Sequence, residues 1–323
     1  MIVDLLFIII GLSGLVFSSD KFVDGAANLA LNLKMSSLLV GILVIGVGTS
    51  APEIIVSASA ALEGSDLALG NAIGSNISNI ALIIGITSLL SPIVVKKSLL
   101  KKEFILLIIS TVLGSALLID GNLSFYDAIV LFIGLILVLY FLIRNAKKPK
   151  IENVEREENP EMSLKKSILF TLGGIISLIA FSKLLVFGAI SLATSLGIND
   201  VIIGLTIVAI GTSLPELSAC IAAARKGKSD LAIGNVIGSN IFNILAVLSI
   251  SGFIYPMNVP SELLTRDIPF MIILTFLFFI FSRSKEIIKD GVITRFKGLF
   301  FILLFIIYIF YIILETMNLN IFG

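Results

Sequence analysis

Long apolar runs, separated by short polar breaks, fill the chain from end to end. Ten windows are apolar enough to cross a bilayer, at 2–32, 37–60, 66–91, 103–119, 125–143, 166–195, 199–223, 230–255, 267–282 and 297–315. A spanning helix needs about 20 mostly apolar residues, so the pattern predicts an all-α polytopic membrane protein with ten transmembrane helices. The first and sixth windows are long enough to tilt strongly. The first is expected to be a retained span rather than a cleaved signal, because Met1 to Leu6 carry no basic residue.

Polar residues inside this pattern are few and duplicated. "GILVIGVGTSAPE" (41–53) aligns with "GLTIVAIGTSLPE" (204–216) at an offset of 163, with 6 of 13 positions identical. One inserted residue later, "LALGNAIGSNISNI" (67–80) aligns with "LAIGNVIGSNIFNI" (231–244), with 11 of 14 identical. A "Ser-x-x-x-x-x-Gly-Ala" phrase also recurs, from Ser19 to Ala26 and from Ser182 to Ala189. Five spans per half is an odd number, so the second copy enters from the opposite side. The expected architecture is therefore two inverted five-helix repeats, 1–144 and 164–323, joined by a charged linker at 145–163. Such repeats offer one conformation open to each side.

Composition agrees with the pattern: hydrophobic residues make up 57% of 323, charged ones 14%, and the mean hydropathy is +1.11. A net charge of +1 becomes informative once the charges are placed. Of 23 Lys/Arg residues, 20 fall in alternate connections: Lys34, 96–102, 144–166, 225–228 and 283–297. The positive-inside rule makes those connections cytoplasmic and puts both termini outside. The opposite connections hold Arg266; Lys21 and Lys183 lie in the long spans, where with Asp20 and Asp24 they are expected to snorkel or pair locally. With a single cysteine and no histidine, neither a disulfide framework nor the commonest transition-metal ligand is available. Cys220 reads as a small packing residue.

Glu53 and Glu216 fall near the bilayer centre, where an acid is costly and marks a functional site. Pro52 and Pro215 precede them and cannot donate to the carbonyls of Gly48 and Gly211. Helices 2 and 7 are expected to break there and expose carbonyls around Gly46–Thr49 and Ala209–Thr212, tolerable only where they line a cavity. With the hydroxyls of Thr49, Ser50, Thr212 and Ser213, these groups form an all-oxygen cage suited to a hard cation. The glycine pairs Gly70/Gly74 and Gly234/Gly238 read as helix packing. Ser75 and Asn79, and Ser239 and Asn243, share a face at i, i+4 and are the site-facing choice from helices 3 and 8, which are also expected to be broken. No nucleophile has a base beside it, so an enzyme is not expected. No cofactor, nucleic acid or protein partner is expected either; the lipid bilayer is the surrounding.

The paired "GTS-x-PE" and "GN-x-x-GSN" motifs, the ten spans and the central linker resemble the calcium/cation antiporter superfamily, close to its prokaryotic sodium/calcium exchangers. The resemblance implies an antiporter of the cell membrane that exchanges Ca²⁺ for Na⁺ by alternating access, normally extruding Ca²⁺. It implies a calcium site of Thr49, Glu53, Thr212 and Glu216. Flanking sodium sites would use Ser75 with the Gly46 carbonyl, and Ser239 with the Ala209 carbonyl. Ser50 and Ser213 would support them, and Asn79 and Asn243 would complete the centre. Potassium-dependent relatives carry Asp where this chain has Asn243, and proton-coupled relatives place an acid where it has Gly74 and Gly238. A Ca²⁺/H⁺ antiporter and a cation channel are the alternatives.

Overall fold

A computed structural model describes residues 2–146, 160–196, 209–284 and 289–316. Ten helical tracts follow the apolar windows: α1 (Ile2–Leu33), α2 (Ser37–Thr49 and Ala51–Leu62), α3 (Leu67–Leu90), α4 (Glu103–Leu117), α5 (Phe125–Ala146), α6 (Leu164–Ser195), α7 (Ala209–Thr212 and Leu214–Arg225), α8 (Ser229–Ile254), α9 (Leu263–Phe281) and α10 (Arg295–Thr316). Among the described residues, seven are single helices long and apolar enough to cross a membrane, and α2 is an eighth if its two arms count together. The opening of α7 expected at 199–208 lies outside the described residues.

Burial sorts the helices. The apolar window of α8 is fully buried and that of α3 is 78% buried, against 17% for α5, α6 and α10. The most polar spans thus form the centre, and the apolar outer helices face lipid. A helix buried on every side needs close neighbours, and glycine permits them. A Cβ on Gly234 would lie 2.6 Å from the Leu38 carbonyl, and one on Gly238 would lie 2.6 Å from that of Ile42. Backbone of α8 therefore rests on backbone of α2, which is the packing expected of this glycine pair.

Two proline breaks appear where the sequence places them. α2 bends by 43° at Ser50, and Pro52 sits in the first turn of the second arm, where a missing N–H costs nothing. Pro215 does the same after Ser213 in α7. The breaks expected in α3 and α8 are not interruptions. Both helices run through, loosening to π winding at Asn79–Ile84 and Asn243–Val247. Neither has a proline there, so one widened turn suffices.

α1 and α6 lie antiparallel along their full length: Gly11 meets Leu185, Gly25 meets Thr171, Gly174 meets Phe22 and Gly188 meets Phe7. Their ends are tied by Asn32 Nδ2 donating to the Met162 carbonyl at 2.8 Å, and by Met162 N donating to Asn28 Oδ1 at 3.0 Å. Asp24 and Asp20 of α1 pair with Lys226 of the other half, at 2.8 and 3.4 Å, a long-range contact rather than the local pairing expected of those acids.

Four short strands among the described residues are not legible in the hydropathy pattern. β1 (Ile93–Val95), after α3, pairs antiparallel with β4 (Gly291–Ile293), before α10. β2 (Asn122–Leu123), before α5, pairs with β3 (Met257–Asn258), after α8. In each pair, the strand after the third helix of one half joins the strand before the last helix of the other.

Candidate cation site

The interruptions of α2 and α7 sit beside acids that lie in the protein interior. Glu53 is 2% exposed and Glu216 1%, and the two carboxyl groups lie within electrostatic reach of each other. One oxygen of Glu53 and both of Glu216 have no hydrogen-bond partner. Ser50 Oγ and Ser213 Oγ, one at each break, are also buried without a partner. Leaving such groups unsatisfied in a low-dielectric interior is costly. A set of hard oxygens carrying two carboxylates fits a cation as the group that satisfies them.

Helices α3 and α8 meet through asparagines. Asn76 Nδ2 donates to the Asn240 carbonyl at 3.1 Å, and Asn79 Nδ2 donates to Asn240 Oδ1 at 2.9 Å. Asn243 is fully buried, with neither its amide nitrogen nor its oxygen paired. Ser75 and Ser239 are buried beside them. From α6, Ile175 lies over Gly48 and Val186 over Gly211, while Ser182 Oγ donates to the Gly211 carbonyl at 2.9 Å. These residues share one face of α6, which covers both breaks.

Two asparagines passed over in the sequence hold the acid-bearing arms. Asn71 Nδ2 donates to the Glu53 carbonyl at 3.1 Å and to Ser57 Oγ at 2.8 Å. Asn235 Nδ2 repeats this with the Glu216 carbonyl at 3.4 Å and Cys220 Sγ at 3.2 Å. Ser57 Oγ then donates to the Ala68 carbonyl, and Cys220 Sγ to that of Ala232. Cys220 is thus more than packing. Its equivalence to Ser57, each four residues after its acid, was available from the repeat alignment.

The family described as sodium/calcium exchanger protein matches this chain twice, over residues 3–144 and 166–314. The chain belongs to the sodium/calcium exchanger family. Relatives of this exchanger-family chain span its length. A putative antiporter, CaxA, from Alkalimonas amylolytica is 40% identical, over 95% of this chain and 98% of that protein. The sodium/calcium exchanger MaX1 from Methanosarcina acetivorans is 32% identical, over 96% and 99%. The solved structure of the sodium-calcium exchanger NCX_Mj, soaked with 10 mM Na⁺ and no Ca²⁺, superposes with a TM-score of 0.82 at 33% identity, covering 95% of this chain and 98% of that one. The protein is a cation/calcium antiporter of the membrane, a transporter and not an enzyme.

Within this exchanger-family fold, one grouping expected from the sequence is corrected. The resemblance implies Ser75 beside the Gly46 carbonyl, yet Ser239 is the serine that reaches it, donating at 3.3 Å. The cause is the α8–α2 contact: Gly238, next to Ser239, lies against Gly46. The contact on this side therefore joins the two halves rather than lying within one. Gly46 also accepts from Ser50 N at 3.2 Å, so its carbonyl is not bare; a carbonyl has two lone pairs. Thr49 is fully buried and Thr212 half-buried. Ala209 opens the described part of α7.

Proposed function

We propose that this chain exchanges Ca²⁺ for Na⁺ across the cell membrane by alternating access, with Na⁺ entry driving Ca²⁺ out. The observation that carries this is the pair of buried carboxylates, Glu53 and Glu216, with three oxygens unpartnered between two interrupted helices. Thr49 and Thr212 complete a Ca²⁺ site with them. Na⁺ occupies the same acids and the flanking groups: Gly46 with Ser239 on one side and, in place of the expected Ser239 with Ala209 and by the symmetry of the repeats, Ser75 with Ala209 on the other. Ser50, Ser213, Asn79 and Asn243 support both.

Coupling follows from electrostatics. Two ionised acids closed into low dielectric without counter-charge carry a large desolvation cost. One Ca²⁺ or a set of Na⁺ removes it, so the carrier changes sides when loaded. Gly74 and Gly238, where proton-coupled relatives have an acid, favour sodium.

The same reading takes the ten tracts as ten spans in two inverted repeats, 1–144 and 164–323, with 145–163 a cytoplasmic linker and both termini outside. Three features support it: the antiparallel course of α1 and α6, the twofold pattern of the strand pairs, and the two separate family matches.

In sodium-loaded proteoliposomes, external ⁴⁵Ca²⁺ is expected to accumulate, and to fail to do so when internal Na⁺ is replaced by choline. Uptake driven equally well by a pH gradient without Na⁺ would establish the proton-coupled alternative. Uncoupled flux, in either condition, would establish a channel.

A further inference from the structure

We propose that Asn235 is a positioning residue for the cation site, holding the Thr49 hydroxyl so that its oxygen rather than its proton faces the ion. This rests on the reading of Thr49 as a ligand. A hydroxyl coordinates a cation through lone pairs, so its one proton needs an acceptor elsewhere. Two acceptors lie on the side of Thr49 Oγ1 away from the acids, the Ile45 carbonyl at 3.0 Å and Asn235 Oδ1 at 3.1 Å, and the Glu216 carboxylate is its third polar neighbour.

The Asn235 amide cannot turn over without loss. Its nitrogen faces the Glu216 carbonyl and Cys220 Sγ, and two oxygens brought together there would repel. Asn235 is 1% exposed, so water does not compete. One side chain thereby fixes the Thr49 turn of the first half against the Glu216 arm of the second. Sulfur is a weak acceptor, so Cys220 restrains this amide less firmly than Ser57 restrains Asn71.

A double-mutant cycle on Ca²⁺ affinity, by isothermal titration, tests the assignment. Asn235→Ala is expected to weaken binding about tenfold in the native background, and less than twofold in a Thr49→Val background. Losses that multiply independently overturn the proposal. If the alanine variant fails to fold, Asn235→Ser gives the same cycle. A native protein that binds no Ca²⁺ counts against the site itself, not against the role of Asn235.

A separate observation carries a second proposal. Glu63 and Lys226 occupy one place in the two halves. Each ends the acid-bearing arm, and each is followed by a left-handed glycine, Gly64 with φ 67° and Gly227 with φ 71°. Asp20 and Lys183 correspond likewise at the offset of 163 on α1 and α6. Both charges are reversed between the halves. Lys226 is bonded to Asp20 and Asp24, whereas Glu63 and Lys183 are exposed and form no ion pair among the described residues.

The packing is unequal in the same sense. α1 lies along the Leu214–Arg225 arm, while α6 hardly touches the Ala51–Leu62 arm. Ser182 donates to Gly211, but its counterpart Ser19 turns back to Val16 in its own helix, at 2.9 Å.

We infer that Glu63 and Lys183 form the matching salt bridge in the opposite access state, when Lys226 releases Asp20 and Asp24. Exposed pairs are weak, so the bridges bias the equilibrium rather than lock it. Glu63→Lys and Lys183→Glu, singly, are each expected to slow sodium-driven Ca²⁺ exchange two- to fivefold. The double swap is expected to restore the native rate within 1.5-fold. A double swap no faster than the slower single variant overturns the inference. Equilibrium Ca²⁺ titration of all three, expected within twofold of native, separates this from damage to the site.

Discussion

Glu216→Gln is expected to weaken Ca²⁺ binding by two to three orders of magnitude and to abolish exchange. Both Glu216 oxygens are buried and unpartnered, and no cationic side chain among the described residues pairs with the carboxylate, so its counter-charge must come from the ion. Breaking a buried charge pair costs about 3–5 kcal/mol, and about 1.4 kcal/mol is a factor of ten in affinity. Glutamine keeps the shape and one carbonyl oxygen but supplies no charge. Glu53→Gln is expected to act similarly. The ion-free protein should melt no lower than native in either variant, because a repulsive carboxylate pair has been relieved. Titration alongside thermal unfolding checks both halves of the expectation; Ca²⁺ affinity within threefold of native would remove that carboxylate from the ligand set.

Gly238→Leu is expected to lower the stability of the detergent-solubilised protein by more than about 3 kcal/mol, above the usual cost of overpacking a core. A Cβ at this position would meet the Ile42 carbonyl oxygen at 2.6 Å and its Cα at 2.9 Å. Both are backbone atoms, so relief requires separating α8 from α2. That separation also parts Ser239 from the Gly46 carbonyl, and Na⁺ affinity should fall in whatever fraction still folds. Gly134→Ala is the control. Its Cβ would find Leu245 Cδ2 at 3.4 Å, an ordinary contact, and helix propensity favours alanine by about 1 kcal/mol. Thermal unfolding that ranks the two variants the other way would refute the packing argument.

Much of this molecule could be read from the chain because a membrane penalises every misplaced polar group. The apolar windows agree with the helix bounds to within a few residues wherever both are described, and Pro52 and Pro215 mark the breaks in α2 and α7 by simple loss of a donor. The acids were legible for the same reason. What was missed depends on contacts between distant segments. Whether Gly46 faces Ser75 or Ser239 is decided by how α8 docks on α2, and spacing within a repeat carries no such information. α3 and α8 run through where breaks are expected because neither has a proline there to remove a donor, and Asn76, Asn79 and Asn240 pair with one another where the two helices meet. The strands went unseen because two or three residues give no periodicity. Asn71 and Asn235 lay in plain view, and the clue to them was Ser57 opposite Cys220 in the aligned repeats.

The strand pairs also set a constraint on biogenesis. β1 meets its partner only when β4 emerges, about 200 residues later. At roughly 5–20 residues per second of synthesis, Ile93–Val95 waits on the order of 10–40 s with an open edge, a template for wrong pairing. A chain cut before Gly291 never closes that edge, so the first half is not a self-sufficient folding unit, however complete its helices.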